Sequence, residues 1–157
     1  MRKNASDASL LELTNALQPL RRVWVQCAGI ALAEFGLPIS FAASLILVAR
    51  QGSQGIRQNI LAEEVGLNPS GMVRILDQAA EAELLERRDS PDDRRVKTVH
   101  ALPKGRELAK NMEEAVTRLR RAVLGDLPPD EVETAARVLR QFESRAVEFL
   151  QQERLPK

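Results

Sequence analysis

Residues 61–76 read Leu61-Ala62-Glu63-Glu64-Val65-Gly66-Leu67-Asn68-Pro69-Ser70-Gly71-Met72-Val73-Arg74-Ile75-Leu76, a pattern for two short helices joined by a tight turn. Ala62 is small where two helices cross closely, and Gly66 can take the left-handed conformation that ends the first helix. Asn68 and Pro69 place a capping side chain and a proline where the second helix starts, because the first helical amide has no partner to lose. Leu67, Met72, Ile75 and Leu76 fall on the inward face. Many helical hairpins share this much, so the flanking sequence has to decide what the pair is for.

Downstream, the second helix is expected over about 69–82. Leu84 and Leu85 then enter an extended segment, Asp89-Ser90-Pro91-Asp92-Asp93 is a turn-rich loop, and Val96, Thr98 and His100 return with strand-like alternation. The result is a two-stranded hairpin with Arg87, Arg88, Arg94, Arg95 and Lys97 gathered around its loop. Upstream, the spacing predicts a helix over about 57–65, the flexible break Gly52-Ser53-Gln54-Gly55, and a helix over about 41–50 capped by Ser40.

At the ends of the chain the periodicity changes character. Leu10, Leu13, Leu17, Leu20, Trp24, Cys27 and Ala31 recur at alternating spacings of three and four, the seam of a helix that needs a partner. Pro19 interrupts this seam, giving either one kinked helix or a short helix followed by a longer one, and Gly36 and Pro38 end it. Pro103 opens a fifth helix with Leu108, Met112, Ala115, Leu119 and Val123 on one stripe. Pro128-Pro129 opens a sixth with Val132, Ala135, Leu139, Phe142, Ala146 and Phe149. The fold class is thus mainly α, with a small two-stranded wing. Two arrangements cover the terminal seams: a homodimer, or an intramolecular bundle of the first, fifth and sixth helices.

Composition narrows the function. The 157 residues carry a net charge of +1, so any attraction to nucleic acid must come from where the arginines sit. Aromatic residues are 3% with no Tyr, which leaves few platforms for unstacked bases and argues against single-strand binding. One cysteine and one histidine exclude an internal disulfide and leave nothing for a metal site. His100 lacks the Ser, Cys or Asp companions of nucleophilic catalysis, and neither a phosphate loop nor a carboxylate pair stands out, so neither an enzyme nor a cofactor is expected. No run approaches the ~18 apolar residues of a membrane span, and the first residues do not form an apolar leader. A soluble, cytoplasmic chain is expected.

The series Leu61-Ala-Glu-Glu-Val-Gly-Leu-Asn-Pro-Ser, Val73-Arg-Ile-Leu-Asp-Gln, Leu84-Leu-Glu-Arg-Arg, Asp93-Arg-Arg and Leu102-Pro-Lys-Gly-Arg resembles the successive signatures of the MarR family of bacterial winged helix-turn-helix transcription regulators. Its Arg-Ile-Leu-Asp-Gln stretch is most similar to the SlyA branch. The ordered match spans about residues 57–110. It implies a single domain over 1–157, with a DNA-binding lobe over 38–102 and dimerisation helices over 10–35 and 103–152. It further implies a homodimer whose fourth helices enter successive major grooves of a pseudo-palindromic operator while the wings reach the flanking minor grooves.

The residues can be read for those tasks one by one. In the recognition helix, Arg74 suits a bidentate contact to guanine or a phosphate, Gln78 adenine, Val73 a thymine methyl, and Ser70 with the amides at the helix start a phosphate. In the wing, Arg94 is expected in the minor groove, with Arg95 on the backbone or anchoring the wing, Asp93 orienting one of these arginines, and Arg88 and Lys97 beside them. Four positions depart from the family pattern. Glu83 stands where a Gly usually ends the recognition helix, so the turn must tolerate a strained residue or use another geometry. Gly71 replaces a hydroxyl or leucine, and Ala79-Ala80 are small where bulkier residues are common.

The resemblance also implies response to a small aromatic effector, or to oxidants through a cysteine, which brings Trp24 and Cys27 into consideration. Cys27 lies on the apolar seam, flanked by Val25 and Ala28, which favours packing over sensing, and Trp24 reads first as a core anchor. The competing readings are a winged-helix module whose arginines bind an acidic protein, and a redox-sensing regulator acting through Cys27.

Overall fold

The computed structural model describes residues 5–90, 93 and 95–154. They form two compact units, one running to Leu119 and one from Arg120. The first unit holds five helices, or most of the fifth, and a small sheet.

Helix α1 (Asp7–Ala31) starts at Ser6, whose Oγ accepts the Ser9 amide at 3.2 Å. It runs through Pro19 as one helix, the first of the two readings. Pro19 and Asn15, whose carbonyl loses its partner, are both exposed, so water can serve the freed group. A 3-10 turn (Ala33–Phe35) ends at Gly36, with φ +65°. Helix α2 (Ile39–Arg50) begins directly after Pro38 and not at Ser40. Ser40 lies inside the first turn, and its carbonyl takes the hydroxyl of the fully buried Ser44 at 2.8 Å.

Strand β1 (Ile56–Arg57) leads into helix α3 (Gln58–Val65), which closes at Gly66 with φ +76°. Helix α4 (Pro69–Glu81) follows, then strands β2 (Leu85–Asp89) and β3 (Lys97–Ala101). The sheet is antiparallel in the order β1-β3-β2, with Leu85 opposite Ala101, Asp89 opposite Lys97 and Ile56 opposite Val99. The expected two-stranded hairpin therefore has a third strand, which ties the start of α3 to the wing.

The core is aliphatic and drawn from every layer of this unit. Leu45 and Val48 of α2, Leu61 of α3, Met72 and Leu76 of α4, Leu85 and Val99 of the sheet, and Met112 of α5 (Pro103–Leu124) are all fully buried. Gly105, Ala109, Met112, Ala115 and Val116 line the buried stripe of α5, and Arg50 holds Glu113 through two bonds of 2.7 and 2.8 Å. Helix α1 is different, since Ala28 is its only buried residue. Of its seam, Leu10 and Leu20 are exposed, Leu13, Leu17, Trp24, Cys27 and Ala31 are half-buried, and Ile30 beside them is 79% exposed.

Helix α6 (Pro129–Arg154), in the second unit, carries Val132, Leu139, Val147, Phe149 and Leu150 exposed, while Phe142 and Ala146 are half-buried. No helix among the described residues is long and apolar enough to cross a membrane.

Candidate nucleic-acid interface

Helix α4 is set by its cap. Asn68 is extended, and its Oδ1 accepts the Gly71 amide at 2.7 Å and the Ser70 hydroxyl at 3.3 Å. A side chain at position 71 would put its Cβ 3.1 Å from that oxygen. Gly71 spares the cap that tight contact, and it is only half exposed. Below the cap the helix has two faces. Met72, Ile75, Leu76 and Ala79 are buried, while Ser70, Val73, Arg74, Asp77 and Gln78 are exposed. Arg74 has no ion-pair partner among the described residues.

The far end of α4 carries the strain expected from the Glu at position 83. Glu83 has φ +59°, the only positive value outside glycine among the described residues. The chain accepts it because the turn is otherwise well bonded: the Glu83 amide donates to Ala80 at 3.0 Å and the Leu84 amide to Ala79 at 2.8 Å, a Schellman ending. That reversal delivers β2 directly beside α4, and Arg87 of β2 reaches back to pair with Asp77 on the outer face of the helix.

In the wing, each described cation has an acidic companion. Arg88 is bonded to Glu86, and Lys97 pairs with Asp89 directly across the ladder. At the tip, Asp93 accepts the Arg95 amide at 2.9 Å and its Nε at 3.2 Å. Those bonds hold the Asp93 carboxyl below the usual carboxylate range, the backbone bond contributing most. The guanidinium itself still projects into solvent, its side chain 91% exposed. The tip is closed by Ser90 to Val96 and Val96 to Asp93 amide–carbonyl bonds, both 2.9 Å. Arg94, the residue expected in the minor groove, lies outside the described residues, as do Pro91 and Asp92.

Between α3, the start of α4 and the base of the wing is a groove of about 590 Å³, lined by Arg57, Lys97 and Arg95 among others. Sequence reading did not single out Arg57; the only hint was a basic residue at the start of the predicted third helix. His100 is buried and bonded through Nε2 to the Thr98 hydroxyl at 3.0 Å, with its ring against Gly55. Trp24 is half-buried on the core and Cys27 is half-buried one turn further along α1; neither lines the groove.

A helical pair, a third helix with one wet face, and a strand hairpin closing against both make a winged helix. Residues 35–96 match the MarR family.

Solved structures share the architecture over most of the chain. CouR from Rhodococcus jostii RHA1, solved bound to p-coumaroyl-CoA, is 25% identical with a TM-score of 0.70, over 87% of this chain and 95% of that one. BldR from Sulfolobus solfataricus is 21% identical with a TM-score of 0.76, over 90% and 99%. MepR of S. aureus, solved as a DNA complex, is 16% identical with a TM-score of 0.64, over 90% and 99%.

Proposed function

We propose that the chain is a sequence-specific regulator of transcription that binds double-stranded DNA as a homodimer. The observation that carries this reading is Arg74: a guanidinium with no ion-pair partner among the described residues, on the wet face of a capped helix whose other face is buried. Ser70, Val73 and Gln78 share that face and extend it to phosphate, thymine methyl and adenine. The wing, with Arg94 and the exposed Arg95 at its tip, enters the adjacent minor groove. Within the family we place the chain in the SlyA-like branch, on Arg74-Ile75-Leu76-Asp77-Gln78.

The homodimer is supported by the apolar residues that α1 and α6 leave in water, Leu20, Ile30 and Phe149 among them. We assign residues 10–35 and 103–152 to dimerisation and 38–102 to DNA binding. Two-fold symmetry then calls for a pseudo-palindromic operator with half-sites about one helical turn apart. Occupancy of a promoter makes the chain a repressor. A small aromatic effector that prefers a dimer unfit for the operator releases it. CouR, which was solved with p-coumaroyl-CoA, supports that form of control, and Trp24 with Cys27 is where we expect the ring to be met.

The test is selection of duplexes from a random pool by the full chain, followed by titration in the presence of excess unrelated DNA. Arg74→Ala is expected to weaken the selected duplex by about 1–3 kcal/mol, on the order of 5- to 150-fold, and to relax preference at the base it reads. Unaltered affinity in both Arg74→Ala and Arg95→Ala would overturn the assignment.

A further inference from the structure

In B-form DNA a major groove and its neighbouring minor groove are separated by a single sugar–phosphate strand. A protein that sets a helix in one and a wing in the other must let that strand pass between them. In this chain the space between the start of α4 and the base of the wing is the groove bounded by Pro69 on one side and Arg95 and Lys97 on the other, with Arg57 contributed by β1.

We infer that this groove seats one strand of the duplex backbone and that Arg57 is its main phosphate-binding residue. The inference rests on the DNA-binding reading above and adds to it a residue and a track outside the helix and wing tip.

Three observations support it. The first is charge: three cations line the groove against a single acid, Glu63. The second is commitment. Arg95 is held by Asp93 and Lys97 by Asp89, whereas Arg57, which is exposed, has no ion-pair partner among the described residues. An incoming phosphate therefore displaces no carboxylate at Arg57, and gains a charge-assisted bond there. The third is position. Arg57 lies opposite Thr98 in the ladder, so the strand that carries it is part of the same sheet as the wing, and its distance from the wing base is fixed by backbone bonds. The apolar part of the lining that reaches solvent, Leu67, Pro69 and Val96, suits the carbon face of deoxyribose between phosphates.

A phosphate contact has a signature that base reading lacks. Arg57→Gln is expected to weaken the selected duplex and an unrelated duplex of equal length by the same factor, roughly fivefold to tenfold near physiological salt. The slope of log affinity against log salt should flatten by about 1 for each protomer bound. Arg57→Lys, which keeps the charge, should recover most of both. Thermal unfolding of the variants should match the parent, since the side chain is exposed.

Unchanged affinity and slope in Arg57→Gln would overturn the inference while leaving the DNA-binding reading intact. Loss confined to one sequence would overturn it by making Arg57 a base reader. Displacement of duplex by polyglutamate at matched charge, as effective as displacement by competitor DNA, would overturn it in favour of an acidic peptide. Absence of duplex binding by the parent chain would remove both readings together.

Discussion

Gly105, in the first turn of α5, lies flat against the backbone carbonyl of Leu84: a Cβ on Gly105 would stand 2.8 Å from the Leu84 carbonyl carbon and closer still to its oxygen. That oxygen is already occupied by the Leu102 amide at 2.9 Å. The start of α5 thus docks on the turn between α4 and β2 at backbone distance, and only glycine permits it. Gly105→Ala must shift either helix or strand and is expected to cost about 1–3 kcal/mol, read from the midpoint of denaturant unfolding.

Next to that contact in the same turn, Glu83 sits at φ +59° with its backbone bonds intact. The left-handed conformation costs an L-residue about 1–2 kcal/mol, part of which glycine returns through its freer unfolded chain. Glu83→Gly is therefore expected to stabilise the fold by roughly 0.5–1 kcal/mol, whereas Glu83→Ala should not. An equal shift for both variants would locate the effect in charge and not in backbone.

Asp77 places a carboxylate on the wet face of α4 and ties up Arg87, with both side chains substantially exposed. Asp77→Asn should change stability by less than about 1 kcal/mol, since exposed pairs contribute little. On the DNA-binding reading it removes a like charge from the approaching backbone and frees a cation. Duplex affinity should rise several-fold with a steeper salt dependence, measurable by anisotropy titration.

His100 gives the stability a pH dependence of known sign. Burial, followed by the nearby Arg88 charge, lowers its pKa below 6.5 against the opposing pull of Glu86 and the Ser53 backbone. As pH falls through 6.5 the unfolded chain binds a proton that the folded chain refuses, so stability drops until the folded value is passed. Unfolding free energies at pH 7.5 and 5.5 should differ more for the parent than for His100→Asn, and equal differences would dismiss the effect.

The apolar residues that α1 and α6 expose are expected to be covered by a second copy. Sedimentation should report a dimer at micromolar concentration, and Leu20→Lys or Phe149→Lys should shift it toward monomer. A monomeric parent chain would remove the dimer from the proposal.

Legibility followed the range of the interactions. The cap at Asn68-Pro69, the left-handed Gly66 and the misfit at Glu83 are each decided within a few residues, and each was readable. Ser40 was misplaced as a cap because Pro38 already fixes the backbone that starts α2. Strand β1 was missed because two residues carry no alternation, and Ile56 and Arg57 become a strand only by pairing with Val99 and Thr98, some forty residues on. For the same reason Arg57 escaped notice, and the pairs Arg87–Asp77 and Lys97–Asp89 depend on which side chains the hairpin turns toward one another.

The described cations of the wing arrive with their own counter-charges, and the whole chain is within one charge of neutral. On the DNA-binding reading, a protein built this way attracts anonymous duplex only weakly and leaves it quickly, because the grip of the described wing cations must first be taken from internal carboxylates. Residence then depends on whether the base edges reward Arg74, and few copies are held up on the rest of a chromosome.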